Sequence, residues 1–415
     1  MQSKRLTQYI LLALVLGIVC GYIVNQHGGE GGFITEFASY ISLLTDIFLR
    51  LIKMIIAPLV FTTLVVGIAR MGDGATIGRV GAKTFGWFIC MSLMSLLLGL
   101  IMVNLLQPGV GLHLPLPDVN AASGVEKAAM SLKDFLHHAF PTSIIDAMGK
   151  NEILQIVVFA IFFGVAAAAL GPKAEPLIKD MDMVAHIMLK VTTYIMNFAP
   201  VAVFAAVAAV VAENGLRVLA TYGTFMLSFY GSILLLWLVI MLQGSLFLGK
   251  SVFRLARSIR EPVLLAFSTA SSEAAYPKTL ENLERFGCNN KIASFVLPIG
   301  YSFNLDGSMM YCTFATIFIA QAYGIELTLT QEIMMLLILM VTSKGMAGVP
   351  RASLVVIAAT LGQFNIPEAG LLLILGVDHF LDMARSATNV LGNAVATAVV
   401  SKWEGELDTS KHGDM

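Results

Sequence analysis

Residues 376–393, GVDHFLDMARSATNVLGN, set five polar side chains at helical spacing. At about 100° per residue, Asp378, Asp382, Arg385, Asn389 and Asn393 fall within an arc of roughly 80°. Phe380, Leu381, Met383, Ala384, Ala387, Val390 and Leu391 cover the rest. Leu371 to Leu375 precede the strip and Ala394 to Val400 follow it, so it lies in an apolar run able to span a membrane of ~30 Å. Ionisable groups at such depth mark substrate or ion pathways. A lone Asp–Arg pair between packed helices would neutralise itself, but it would need no asparagine ladder continuing toward the helix end.

The elements that must position this strip are membrane helices. The chain has 415 residues, 57% hydrophobic and 13% charged, against ~25% charged in soluble domains, which makes it a polytopic membrane protein. A net charge of -1 with dispersed basic residues gives no case for a nucleic-acid partner. Cys20, Cys90, Cys288 and Cys312 are far apart and lack His or Cys at ligand spacing, so neither a disulfide framework nor a metal site is indicated. The start, MQSKRL followed by Thr7 to Val24, lacks a small-residue cleavage pattern and reads as a retained first helix. Apolar runs predict spans near 8–26, 36–70, 82–106, 152–170, 178–211 and 218–248, then a less regular region from 255 to 402. Lys4 and Arg5, then Arg70, Arg79 and Lys83, then Lys250, Arg254, Arg257 and Arg260, then Lys402 and Lys411 carry the positive charge, while loop 25–35 has none. The positive-inside rule puts both termini in the cytoplasm and the 107–150 connection outside, the latter an exposed irregular insert.

Two segments after residue 255 are too interrupted to cross as ordinary helices. EPVLLAFSTASSEAAYPKTLENLERFG, from Glu261, meets a Ser-rich tip and Pro277 after six apolar residues, and TQEIMMLLILMVTSKGMAGVPRASLVVIAATLGQF, from Thr330, is broken by Ser343, Gly345, Gly348 and Pro350. Both read as re-entrant helical hairpins, with Pro277 or Pro350 opening the returning helix. Each is followed by a helix with a polar centre: Ser294 to Gly324, carrying Asn304, Asp306 and Ser308 in NLDGS, and then the strip from Asp378. Hairpin-helix repeated twice is the pattern of a secondary transporter with its site at the midplane. Gly307 is expected to let the helix unwind and turn carbonyls toward a cation.

These residues carry a resemblance to a known family. Through RLIKMIIAPLVFTTLVVGI (50–68), STASSE (268–273), PIGYSFNLDGSMMY (298–311), SKGMAGVP (343–350) and LDMARSATNVLGN (381–393), the chain resembles the dicarboxylate/amino acid:cation symporters, bacterial relatives of the excitatory glutamate transporters. The resemblance implies an all-α fold of eight transmembrane helices plus two re-entrant hairpins, inverted repeats, a homotrimer in lipid, and an elevator-type core. Residues 1–255 would be mainly scaffold, with the third and sixth helices joining the core, 256–403 the transport core and 404–415 a cytoplasmic tail. It implies a transporter of the bacterial inner membrane and not an enzyme, with no cofactor.

Residue by residue, the resemblance assigns Arg385 to the substrate's side-chain carboxylate, whose geometry its guanidinium fork matches. Asp382 would take the α-ammonium, Asn389 and Ser272 the α-carboxylate end, and Ser308 a place near the distal carboxylate. Asp378 would orient Arg385, and backbone groups around Ser271 and Gly348 would complete the site. Asp382 weighs among substrates: the C4-dicarboxylate branch has a small neutral residue there, and neutral amino-acid members lack the arginine. Both charges together favour L-glutamate and L-aspartate. A C4-dicarboxylate:cation symporter and a sodium-coupled acidic amino-acid symporter are the nearest alternatives, and a ligand-gated channel the one from another class.

The coupling ion is read from departures. Sodium-coupled members carry Asp where this chain has Asn393, and Tyr and Thr where it has Phe88 and Met91, so hard oxygen ligands are lost. Asn304 and Asp306 remain, and a buried Asp306 is suited to carry a proton. Proton coupling is thus expected, with sodium as the alternative. Cys312 stands where mammalian members have Glu, Ala270 where archaeal members have a hairpin Arg, and Met383 where mammalian members put the replacement Arg. Glu273 at the first hairpin tip and Arg351 at the second are expected to form a salt bridge across the closed gate, which makes Glu273 a further coupling candidate.

Overall fold

The apolar runs fold as helices in the computed structural model, which describes residues 2–27, 32–71, 74–110, 116, 139–215, 222–342, 352–375, 377–408 and 410. Helix α1 is Gln2–His27, α2 Gly32–Met71, α3 Gly74–Leu106, α4 Ile144–Lys150 and α5 Ile153–Leu170. The expected span 178–211 is instead two helices, α6 (Glu175–Met196) and α7 (Ala199–Asn214), bent by 53°. Pro200 sits in the first turn of α7, where its missing N–H costs nothing, and it would break a continuous helix. Helix α8 is Gly223–Leu248. Among the described residues five helices are long and apolar enough to cross a membrane, or six if the bent pair counts as one. On α8, Leu227, Leu234, Leu238, Leu242 and Leu246 are each at least 63% exposed, a surface that suits hydrocarbon rather than water.

After α9 (Ser251–Ser258) the chain turns back on itself. Helix α10 (Arg260–Thr269) has ten residues, ~15 Å of rise and half a bilayer. It ends at Ala270 in the left-handed region, and Ser271 caps α11 (Ser272–Phe286) by accepting the Ala274 N–H at 3.3 Å. The opening of the returning helix is therefore Ser272, not Pro277, which lies inside α11. Helices α12 (Asn290–Phe303) and α13 (Asp306–Ala322) follow, then α14 (Leu329–Thr342) and α15 (Ala352–Gln363), which pack on each other. Residues 343–351, with Gly345, Gly348, Pro350 and Arg351, lie outside the described residues. The apolar run before the strip is a separate short helix, α16 (Leu371–Leu375), and α17 (Asp378–Trp403) starts on the first strip residue.

The helices pack in two sets. Helices α1, α2, α5, α6 and α7 lie on one another, whereas α3 and α8 pack with α13 and α17. The sets meet where α10, α11 and α12 touch α1, α2, α5, α6 and α7.

Beyond α17 the chain clasps this second set. The Asn289 N–H donates to the Glu406 carbonyl at 3.1 Å and the Asp408 N–H to the Gly287 carbonyl at 2.9 Å, around the isolated antiparallel bridge Cys288–Leu407. Glu404 takes Arg79 Nη2 at 2.9 Å and Lys83 Nζ at 2.7 Å, both from α3, and Glu406 pairs with Lys291. Burial pushes the Glu404 carboxyl up, but Arg79 and Lys83 together outweigh it and hold its pKa below the ordinary value. Its contribution is present above the ordinary carboxylate pKa and lost as pH falls through the lower folded value. Gly287 makes the clasp possible: its φ is +114°, and a Cβ there would collide with the Asp408 carbonyl. Gly287→Ala is expected to destabilise the detergent-solubilised protein by more than ~1 kcal/mol. Gly249, also at positive φ but with open space around it, supplies the control. A melting temperature for Gly287→Ala no lower than for Gly249→Ala would show that the clasp does not hold the fold.

Candidate functional site

All five strip residues lie on α17, with Asp378, Arg385, Asn389 and Asn393 buried and Asp382 partly open. At the first turns, Arg385 Nη2 is 2.9 Å from Asp382 Oδ1 and 3.7 Å from Asp378 Oδ1. The Tyr311 hydroxyl of α13 donates to Asp378 Oδ1 at 3.0 Å, and the guanidinium stacks 4.2 Å from the Tyr311 ring centroid. Two carboxylates and a ring thus fix one guanidinium. Its Nε and Nη1 are buried with no hydrogen-bond partner among the described residues. Leaving such donors unpaired costs ~1–3 kcal/mol each, so both are available to an acceptor beyond the described residues. The arrangement presents two guanidinium donors beside a carboxylate.

One turn on, Asn389 knits α17 to α13. Its Oδ1 accepts the Gly307 N–H at 2.9 Å and the Ser308 N–H at 3.4 Å, and its Nδ2 donates to Ser308 Oγ at 3.1 Å. It caps the first turn of α13, which has no cap of its own. The unwinding expected at Gly307 falls earlier, at Asn304 and Leu305, whose φ values are -123° and -99°. Gly307 is already helical; its role is close approach, since a Cβ there would stand 2.5 Å from the Arg385 carbonyl oxygen. The helix breaks at Asn304 and Leu305, and the glycine lets α17 pass.

The third group is the fully buried set around the break. Asn304 Nδ2 donates to Asp306 Oδ2 at 3.2 Å and to Asn393 Oδ1 at 3.1 Å. Ser95 Oγ of α3 lies 2.8 Å from the Met91 carbonyl and 3.2 Å from Asp306 Oδ1. Phe88 and Met91 are both buried beside it, Phe88 reaching the same glycine, Gly300, that Asn393 abuts. Asn304 Oδ1 and Asn393 Nδ2 have no partner among the described residues.

Ser271 and Ser272 sit at the turn of the hairpin, and α10 and α11 both pack on α17. Gly348 and Arg351 lie outside the described residues, and so does the Glu273–Arg351 bridge. Ser95 and Tyr311 were not singled out from sequence. Ser95 carried a faint signal as a hydroxyl three residues from Ser92 in an apolar run, and Tyr311 closes the quoted PIGYSFNLDGSMMY. On the outer side of α17, Trp237 Nε1 donates to Thr388 Oγ1 at 2.8 Å and the Tyr230 hydroxyl to the Phe380 carbonyl at 2.6 Å, locking the helix's rotation from α8.

Residues 6–403 match the sodium:dicarboxylate symporter family model. The chain belongs to that family. It is therefore a multi-pass membrane symporter of the dicarboxylate/glutamate type and not an enzyme. The symporter is 42% identical to the proton/glutamate-aspartate symporter of Escherichia coli (strain K12), over 97% of this chain and 93% of that one. It is 39% identical to the proton/sodium-glutamate symport protein of Geobacillus stearothermophilus, over 99% and 97%, and 39% identical to the C4-dicarboxylate transport protein of Laribacter hongkongensis (strain HLHK9), over 99% and 93%. Relatives with different substrates in their names match equally well, so overall identity does not choose among them and the site must.

Proposed function

We propose that this symporter imports L-glutamate and L-aspartate together with protons. The observation that carries the substrate is the Asp382–Arg385 pair at 2.9 Å with two further Arg385 donors unpartnered among the described residues. An acidic amino acid brings a carboxylate for the guanidinium and an ammonium for Asp382, so neither charge is left alone. A C4 dicarboxylate brings no cation. The set Asp378, Asp382 and Arg385 holds two negative charges and one positive, and a dianion would enter against that balance. Ser308, Asn389 and the tip at Ser271 and Ser272, with Gly348, border the same substrate in this reading, and Asp378 holds Arg385 in place.

The coupling ion follows from the third group. The Ser95 hydroxyl donates to the Met91 carbonyl at 2.8 Å or to Asp306 Oδ1 at 3.2 Å, one proton for two acceptors, and a proton on Asp306 would supply the second. Apolar Phe88 and Met91 supply no oxygen for a hard cation. Asn304 and Asn393 border this proton site. In this reading the protein is a homotrimer in a bacterial inner membrane with both termini cytoplasmic. It has eight transmembrane helices and two re-entrant hairpins, arranged as inverted repeats. Residues 1–255 form mainly scaffold, to which α3 and α8 are exceptions, and 256–403 form the core that moves as an elevator. The test is uptake by purified protein in liposomes under separately imposed pH and sodium gradients. Accumulation of labelled aspartate is expected with the pH gradient alone; drive by sodium alone at fixed pH would reassign the coupling ion.

A further inference from the structure

A charged face lies away from the polar strip, where α8 ends. The exposed leucines of α8 stop at Leu246. With 26 residues α8 rises ~39 Å, more than the ~30 Å hydrocarbon layer, so its end reaches the lipid headgroups. Two tryptophans gather at the same level: the rings of Trp87 from α3 and Trp403 from α17 pack edge to face on Phe247, with centroids 5.7 and 5.1 Å away, a grouping of the kind found at the membrane–water interface. Gly249, at φ +60°, then turns the chain into α9.

Helix α9 has one buried and one charged face. Val252 and Leu255 are fully buried, and a Cβ on Gly244 of α8 would stand 2.9 Å from Val252 and from Val395 of α17, so that glycine seats α9 firmly on the core. Lys250, already helical in φ and ψ, and Arg254 and Arg257 follow at i, i+4 and i+7, which puts them within an arc of about 60° opposite the buried pair. All three are exposed, and Phe253 beside them is 65% exposed. No acidic residue occurs between Glu213 and Glu261, and Glu261 is buried. Among the described residues neither Lys250 nor Arg257 is in an ion pair.

We infer that this face of α9 binds the headgroup of an anionic phospholipid of the phosphatidylglycerol type through Lys250, Arg254 and Arg257, with Phe253 seated among the acyl chains. Basic residues directly after a membrane span attract anionic headgroups, and a guanidinium fork suits a phosphodiester. A zwitterionic lipid brings its own cation and leaves these charges without net compensation. A soluble acidic partner would serve the charges but would give Phe253 no apolar surroundings, whereas an amphipathic helix lying at the interface satisfies both. Helix α9 also joins α8 to the hairpin α10–α11, so the lipid holds the outer end of the element that carries Ser271 and Ser272. The inference needs only that the chain is a membrane protein, and it stands whatever the substrate or the coupling ion.

The test titrates phosphatidylglycerol or phosphatidylcholine into the detergent-solubilised symporter and reads the lipid-bound species by mass spectrometry of the intact complex. The parent is expected to prefer phosphatidylglycerol. A basic residue close to anionic lipid contributes about fivefold in binding, so Lys250→Gln combined with Arg257→Gln is expected to weaken phosphatidylglycerol binding ~25-fold and to leave phosphatidylcholine binding unchanged. Lys173→Gln combined with Lys179→Gln removes the same charge around the start of α6 and is expected to change neither. Equal phosphatidylglycerol binding by parent and α9 variant overturns the inference, and so does a loss of the same size in the control pair, which would report overall charge alone. Binding of glycerol 1-phosphate as tight as that of the lipid would assign the face to a soluble anion and overturns it too. Should the α9 variant not fold, the parent decides: salt at ~1 M, which screens charges beyond ~3 Å, is expected to erase the preference for phosphatidylglycerol, and a preference that survives overturns the inference.

Discussion

Arg385→Cys is expected to abolish uptake of glutamate and aspartate while leaving a folded, substrate-accessible protein. The guanidinium is 2% exposed, stacked on Tyr311 and paired with Asp382, and its removal leaves Asp378 and Asp382 facing an incoming carboxylate with no positive charge between them. Breaking one partner from a buried pair costs ~3–5 kcal/mol, roughly a hundred- to several-thousand-fold in affinity. Asp382 still offers a partner for an ammonium, so small neutral amino acids are expected to become competitors of whatever uptake remains. The measurement is labelled glutamate uptake, with serine and cysteine as competitors, in proteoliposomes matched for protein content. Glutamate uptake near the parent rate would remove Arg385 from the carboxylate site.

The second large effect is a change of substrate class. Asp382→Ser takes away the charge that meets the ammonium and leaves Asp378 to balance Arg385 at 3.7 Å. Aspartate binding is expected to weaken by ~3–5 kcal/mol, the cost of an unmatched buried ammonium, while succinate, which has none, gains through the loss of one repelling carboxylate. Competition of labelled aspartate by succinate in the parent, and of labelled succinate by aspartate in the variant, reads both halves. If succinate competes equally well in parent and variant, Asp382 does not select the substrate.

The polar strip was legible because helix periodicity is a property of one segment: five residues at positions 378, 382, 385, 389 and 393 share a face of any α-helix, and α17 is one helix across all of them. What each residue touches was less legible, because it depends on a second helix. Asn389 is engaged by the first turn of α13, and Asp306 meets Ser95 from α3, a contact across 211 residues of sequence. Local punctuation misled in three places. Pro277 and Gly307 looked like the points where helices open, yet a serine cap and the Asn304–Leu305 break precede them, since a proline is tolerated inside a helix held by its neighbours and a glycine also serves close packing. Pro200 was passed over inside a long apolar run, where it marks the bend between α6 and α7. The expected Glu273–Arg351 bridge lies outside the described residues; Glu273 shares a small cavity with residues of α2, α5, α11 and α12.

The clasp after α17 also bears on how the molecule is made. Gly287 and Asn289 lie at the base of the first hairpin, and their backbone partners are Asp408 and Glu406, so about 120 residues of chain must be synthesised between the two halves of one short pairing. The ribosome delivers the N-terminal partner first, and it waits in the membrane-bound nascent chain while α12 through α17 are laid down. Until the second half of that pairing arrives, α3 holds Arg79 and Lys83 without Glu404, and this end of the second set of helices stays unbuttoned. Closure of that end is thus timed to the completion of α17, the helix that carries the polar strip, and a chain released before that helix is finished lacks this fastening.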